Sequence, residues 1–314
     1  LLHGIINNRR DDMHNKVVIV GCGNVGMSYA YALLNQGSNV DELVLIDINQ
    51  KRVLGEVMDL NHCLAFAPSN MAIRAGSYED CRDAKIVVIT AGATQVNGET
   101  RMDLIYKNSA IFKSIISQIV DSGFQGIFLV ASNPVDVMTY LTWKCSGFSS
   151  HRVLGSGTSL DSSRLRYLIG KKLGIGPKNI HAYVIGEHGD SEFVPWQHAT
   201  VGLQNINQFL SEDDKREIAD EVKNAGYKII DYKGSTYYGI GMCLVYITNA
   251  ILGNENTIIT VSTYDRENDV FIGLPTIVNK NGAKGRVYVD LTEEEVKKLQ
   301  ESIGIVKDAI QKVI

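Results

Sequence analysis

The run Lys16-Val17-Val18-Ile19-Val20 passes directly into Gly21-Cys22-Gly23-Asn24-Val25-Gly26, and this junction constrains the fold of the 314-residue chain more than any other feature. A short β-branched run predicts a strand, the glycines predict a tight turn, and the apolar segment Met27 to Gln36 predicts a helix. A second strand over Glu42 to Ile46 stops at Asp47, 21 residues after Gly26. Further strands are expected at Ile86 to Thr90 and Ile127 to Ala131 with helical stretches between them, so β and α alternate through the first half. That rhythm predicts an α/β fold, a Rossmann-type doubly wound parallel sheet covered on both faces. Its ligand crevice should lie at the carboxyl ends of the strands, where Gly21, Asp47, Ala91 and Ser132 fall.

A glycine triplet alone is weak evidence, because methyltransferases carry similar turns. Here it follows a strand and opens a helix, whose amides and positive end suit a pyrophosphate, and Asp47 stands where a carboxylate accepts ribose hydroxyls. Ile48 and Asn49 follow Asp47, so a phosphate on the adenine ribose would meet like charge, which favours NAD over NADP. Lys51 and Arg52 read otherwise as a solvated helix start.

After Ser156 the pattern changes. A helix is expected around Ser162 to Leu173, a strand around Ile180 to Ile185, and a long helical region from Glu212 toward Gly253 bent at Gly234 and Gly239. Strands at Thr257 to Thr263, Val270 to Ile277 and Arg286 to Val289 predict an antiparallel sheet in a separate lobe. Thr292 and Glu295 have capping-box spacing, and Val296, Leu299, Ile303, Val306, Ile310 and Val313 form one apolar helix stripe. The organisation expected is an N-terminal extension over 1–15 with Met13 as the natural start, a NAD-binding Rossmann domain over 16–156, and an α+β substrate domain over 157–314.

A net charge of -4 leaves no broad basic surface for nucleic acid, so an anionic ligand must be met by local arginines. No apolar run approaches the roughly twenty residues that span a bilayer. Five scattered cysteines without a close pair read as reduced thiols of a cytoplasmic protein, and no metal is invoked.

Gly186-Glu187-His188-Gly189-Asp190 carries a glycine-flanked histidine suited to proton exchange, while Asp161 and Arg164 stand three apart and share one helix face. Taken singly, these are an ordinary loop histidine, a helix cap and a surface ion pair. Brought together, a buried carboxylate would hold one ring nitrogen of His188 and raise its pKa, and Arg164 would grip a substrate carboxylate through two parallel hydrogen bonds. The polar stretch from Gly92 to Arg101 reads as a surface loop able to close and deliver a guanidinium to a carbonyl oxygen. These pieces predict hydride transfer on a small anionic keto or hydroxy acid.

Several separated motifs agree in order: the glycine turn, Gly98-Glu99-Thr100-Arg101, Ser132-Asn133-Pro134-Val135-Asp136, Leu160-Asp161-Ser162-Ser163-Arg164, Gly186 to Asp190, and Lys233-Gly234-Ser235-Thr236-Tyr237-Tyr238. On them the chain, from about Lys16 onward, resembles the lactate and malate dehydrogenase family, specifically its bacterial L-lactate branch. The resemblance implies reversible NADH-dependent reduction of pyruvate in fermentation, with His188 as acid/base, Asp161 its partner, Arg101 the polarising group and Arg164 the carboxylate anchor. It further places Asn133 near nicotinamide and substrate, and Thr236 in the substrate pocket. Gly21, Gly23, Val25, Gly26, Asp47, Arg52, Tyr78, Gly92, Ala93, Ala131, Ser132 and Asn133 match positions around NAD, with Ser114 and Ser156 as further candidates.

Gln95 matches the loop position where malate enzymes carry an arginine, so a second substrate carboxylate would be desolvated without a partner there. A malate dehydrogenase is thereby disfavoured, while an L-2-hydroxy acid dehydrogenase of broader specificity and a noncatalytic NAD-binding protein stay compatible with the scaffold. Arg166 and His181 match positions that bind fructose bisphosphate between subunits in allosteric relatives, implying an effector site in a homotetramer. The order of apolar residues in Glu192-Phe193-Val194-Pro195-Trp196 departs from the family form, as does a short Gly202 to Ser211 segment.

Overall fold

Every residue of the first strand, β1 (Lys16–Val20), is buried, as a strand covered on both faces requires. The structure, a computed structural model, describes residues 14–68, 70–93 and 101–313, with the side chains of 101–104 excepted. After β1 come α1 (Asn24–Asn35), β2 (Glu42–Ile46), α2 (Gln50–Cys63), β3 (Ala72–Ala75), β4 (Ile86–Ile89), α3 (Arg101–Asp121), β5 (Ile127–Val130), α4 (Val135–Ser146) and β6 (Val153–Gly155). These six strands are parallel and lie in the order β3-β2-β1-β4-β5-β6. The order reverses between β1 and β4, which is where a doubly wound sheet opens its crevice.

The second half runs α5 (Ser159–Leu173), β7 (Ile180–His181), β8 (Thr200–Val201), β9 (Gln204–Asn205), α6 (Glu212–Lys233), α7 (Tyr238–Leu252), β10 (Thr257–Asp265), β11 (Val270–Asn279), β12 (Gly282–Arg286) and α8 (Glu293–Gln311). The expected antiparallel strands do pair β10–β11–β12, but they form no separate sheet. Ser262 of β10 pairs antiparallel with Gly155 of β6, so the two halves share one nine-stranded sheet. The separate sheet is instead the small β7–β8–β9.

Successive residues of a strand point to opposite faces, and the core divides accordingly. Val18, Val20, Val87 and Phe128 face one hydrophobic cluster, which α3, α4 and α8 close. Val17, Ile19, Val88 and Leu129 face the other, which α1 and α7 close. A third cluster, including Leu165, Ile169, Val184 and Ile218, joins α5, α6 and the small sheet into a base for the second half.

Four expectations need correction in detail. The strand expected over Ile180 to Ile185 ends at His181, and Ile185 makes only an isolated bridge to Phe193. The third antiparallel strand occupies Gly282–Arg286 rather than Arg286 to Val289. The helical region after Glu212 is two helices, because Gly234 takes the left-handed conformation (φ +84°) that ends α6, whereas Gly239 lies inside α7. In the final helix the capping box of Thr292 and Glu295 forms, and Ile303, Val306 and Ile310 are buried, but Val296 is exposed.

Candidate active site

The first turn of the sheet crevice is shaped by what glycine lacks. Gly21 has φ +108°, and a Cβ there would lie 2.4 Å from the Ala91 nitrogen. A Cβ on Gly26 would lie 2.1 Å from the Gly21 carbonyl oxygen, so only glycine lets α1 pack against the turn. Gly23 faces open space, caps α1 without a side-chain bond, and no acidic residue occupies the first turn of the helix. The leading amides of α1 and its positive end are therefore left for an anionic ligand. Asp47 is fixed at the end of β2, its two oxygens accepting the amides of Cys22 at 2.7 Å and Asn49 at 2.9 Å. An open glycine cradle, an uncapped helix start and a carboxylate on the neighbouring strand fit a dinucleotide.

Next to this crevice lies a cavity of about 440 Å³ that reaches from Val25, Ala131 and Asn133 to Asp161, Arg164 and His188. Ser156 and Thr236 also line it. The helical spacing sets Asp161 and Arg164 on one face of α5, and Nη1 of Arg164 donates to Oδ1 of Asp161 at 2.7 Å. The other Asp161 oxygen meets Nδ1 of His188 at 2.6 Å. Burial alone would depress the His188 imidazole, but the Asp161 carboxylate overrides it and lifts the pKa to about 9. Burial likewise works against ionised Asp161, and the attraction of His188 holds its pKa below the usual value. The Asp161 side chain is 2% exposed and that of His188 25%, so the carboxylate is sealed while the imidazole opens to the cavity. The arrangement stores a proton on a ring held in one orientation by its inner nitrogen.

Three further groups hold this centre, and the sequence reading assigned none of them a role. Asp136, fully buried behind His188, accepts the His188 amide at 2.9 Å and the Ser262 hydroxyl at 2.5 Å. Burial pushes its pKa up to about 6 despite those hydrogen bonds. Ser302 of α8 accepts the Glu187 amide at 2.7 Å and shares a hydrogen bond with Ser191 at 2.8 Å. Asn108 of α3 accepts the Ala93 amide at 2.8 Å and donates to the Asn133 carbonyl at 3.0 Å. Asp136 belongs to a motif that the sequence does display; Ser302 and Asn108 look like ordinary helix residues until the chain is folded.

The other expected positions divide. Gly92 and Ala93 follow β4, and the Ser132 hydroxyl donates to the Ala91 carbonyl at 2.6 Å, turning inward. Tyr78 is half-buried in a short turn near Asp47. Arg52 is exposed on α2, paired with Glu56, and lines a different cavity beside α1. Ser114 is exposed on α3 and does not line the main cavity. Arg101 begins α3, but its side chain and the whole of Gln95 lie outside the described residues. Arg166 is half-buried on α5 with its Nε buried and unpartnered, and His181 is exposed at the end of β7. Neither lines the main cavity.

Two family models together match nearly the whole chain. Residues 15–155 match the lactate/malate dehydrogenase NAD binding domain, and 158–314 match the lactate/malate dehydrogenase alpha/beta C-terminal domain. The chain is 52% identical over 306 residues to L-lactate dehydrogenase of Bacillus velezensis, covering 94% of this chain and 96% of that protein. It is also 52% identical over 298 residues to L-lactate dehydrogenase of Halalkalibacterium halodurans, with the same coverage. Among solved structures, a lactate dehydrogenase from a Medee basin deep-sea metagenome library superposes with a TM-score of 0.93 at 51% identity, covering 96% of this chain and 99% of that one. The ligand-bound minor L-lactate dehydrogenase of Enterococcus mundtii superposes with a TM-score of 0.94 at 45% identity, with the same coverage.

Proposed function

The chain belongs to the lactate/malate dehydrogenase family, and from that premise we propose its reaction: it is an NAD-dependent L-lactate dehydrogenase that interconverts pyruvate and L-lactate. The observation that carries the reading is the Asp161–His188 pair at 2.6 Å, facing a cavity that also holds Arg164. The glycine turn, the start of α1 and Asp47 would hold NADH in the crevice, where it would supply a hydride to the carbonyl carbon of pyruvate. His188, protonated through its partnership with Asp161, gives its proton from Nε2 to the carbonyl oxygen. Arg164 anchors the carboxylate and so fixes the distance between carbonyl and imidazole. Arg101, at the start of α3, polarises the carbonyl, and Asn133 and Thr236 border the substrate. The sealed position of Asp161 supports a fixed tautomer for His188.

The division of labour follows the two halves, residues 16–156 holding NAD and 157–314 supplying the acid–base pair and the carboxylate anchor, with Gln95, Arg101 and Asn133 of the first half completing the substrate site. Gln95 selects a keto acid with one carboxylate over oxaloacetate. Measuring NADH oxidation across a panel of 2-keto acids tests this: pyruvate should be the preferred substrate, and faster turnover of oxaloacetate would refute it. All five cysteines are unpaired, which supports placing the enzyme in the reducing cytoplasm.

A second element of the proposal is regulation: fructose bisphosphate binds across a subunit interface of a homotetramer at Arg166 and His181. The buried, unpartnered Nε of Arg166 supports it, because such a donor wants an acceptor that this chain does not provide among its described residues. Pyruvate saturation curves with and without the sugar bisphosphate should separate, and superimposable curves would overturn the effector site.

A further inference from the structure

Glu192 shares the cavity with the acid–base pair, yet no step of the reaction above employs it. Side-chain oxygens of Asp161 and Glu192 and a ring nitrogen of His188 all lie within 4.8 Å of one another, so the Glu192 carboxyl sits against the Asp161 carboxylate. Two carboxylates this close in a buried site repel each other, which favours one of them as the neutral acid. Asp161 already faces two cationic donors, Arg164 and His188, one on each oxygen, so it is the one that stays ionised. The groups around Glu192 are Asp161 and Arg164 on α5, His188 and Asp190 on its own loop, with Asp136 behind it, and Lys223 and Tyr227 of α6 on the cavity wall.

We infer that Glu192 is a positioning residue held as the neutral acid, donating its proton to Asp161 so that substrate binding requires two protons in the site, one on His188 and one on Glu192. Burial first, and then repulsion by Asp161, push the Glu192 pKa up to about 9, against the pull of His188 and Arg164. The charge balance explains the requirement. With Glu192 neutral, the hydrogen-bonded cluster of Asp161, His188 and Arg164 carries one net positive charge, which a monoanionic keto acid neutralises. Ionised Glu192 would offset that charge beforehand, and the substrate carboxylate would enter a desolvated site against a weaker net attraction from Arg164 and His188.

The inference rests on the pyruvate reading above and makes a separate demand. In NADH-saturated enzyme, log(kcat/KM) for pyruvate should fall above about pH 9 with a limiting slope of about two, whereas Glu192→Gln, which keeps a donor but cannot ionise, should fall with a slope of about one. A slope of one in the natural protein, an unchanged slope in the variant, or a tenfold lower KM in the variant at neutral pH would overturn it, the last because it marks removal of an ionised carboxylate. Should the variant not fold, the natural enzyme loaded with NADH can be titrated with oxamate, an unreactive amide analogue of pyruvate, well above pH 9 in buffers of different ionisation enthalpy. Uptake of more than one proton per site is expected, and one or fewer overturns the inference. Absence of any pyruvate turnover would instead sink the proposed function.

Discussion

The carboxylate of Asp136 accepts the backbone amide of His188 at 2.9 Å, joining the first residues of α4 to a loop 52 positions further along the chain. Ser262 of β10 donates to the same carboxylate. His188, the proposed acid–base residue, is thus held twice, its ring by Asp161 and its backbone by a buried acid from the first half of the chain. Such double fixing keeps the proton-carrying nitrogen aimed at the cavity, the preorganisation that proton transfer needs.

Removing the imidazole tests its assignment. His188→Ala should lower kcat for pyruvate reduction by about a thousandfold. NADH affinity, read by fluorescence titration, should change little, because the glycine turn and Asp47 lie elsewhere in the crevice. Unimpaired turnover would remove His188 from the mechanism.

Arg164→Lys keeps the charge but loses the planar fork. Charge-assisted hydrogen bonds contribute about 2 kcal/mol each, so losing one should raise KM for pyruvate roughly thirtyfold. Steady-state kinetics check this, and an unchanged KM would mean that the substrate carboxylate is bound by another group.

Ser262→Ala should destabilise the fold by about 1–3 kcal/mol, since it strips a donor from a fully buried acid. The sign of its pH dependence follows from the pKa of Asp136, raised by burial from 3.8 to about 6. Below the lower value the folded and unfolded chains both hold the proton; as pH rises through about 6 the folded chain must bury an ion, and stability is lost. Without Ser262 that loss grows. Chemical denaturation should therefore give a larger difference between variant and natural protein near neutral pH than near pH 4.

Gln95→Arg should shift preference from pyruvate toward oxaloacetate by supplying a partner for the second carboxylate. The ratio of the two kcat/KM values reads this directly, and a ratio that does not move would contradict the role given to Gln95.

Much of this molecule is legible in its residues, and the failures share one physical origin. β1, β2, β4 and β5 are buried on both faces, so they read as unbroken apolar runs, and the Asp161–Arg164 spacing alone places both on one helix face. The edge strands β3 and β12 escape. Ala72–Ala75 is too short to show a period, and Gly282–Arg286 has no apolar alternation because its outer residues meet solvent. The union of two expected sheets into one hangs on Ser262 opposite Gly155, 107 positions apart, a pairing to which local pattern is blind. At the site the same division holds. His188 stands out through its glycine flanks, whereas Asp136, Ser302 and Glu192 acquire their roles only from what the fold sets beside them.

The central claim is that the imidazolium held by Asp161 is the proton donor, and the pH dependence of pyruvate kcat/KM tests it most directly. With the His188 pKa lifted to about 9, pyruvate reduction should be constant around neutral pH and fall as pH rises through that value, while lactate oxidation, which needs the neutral ring, should rise as pH approaches that value from below. In Asp161→Asn the lifting charge is gone, and burial should bring the limb down to the unperturbed value of 6.5 or below. A limb that stays in place when Asp161 is neutralised would contradict the account.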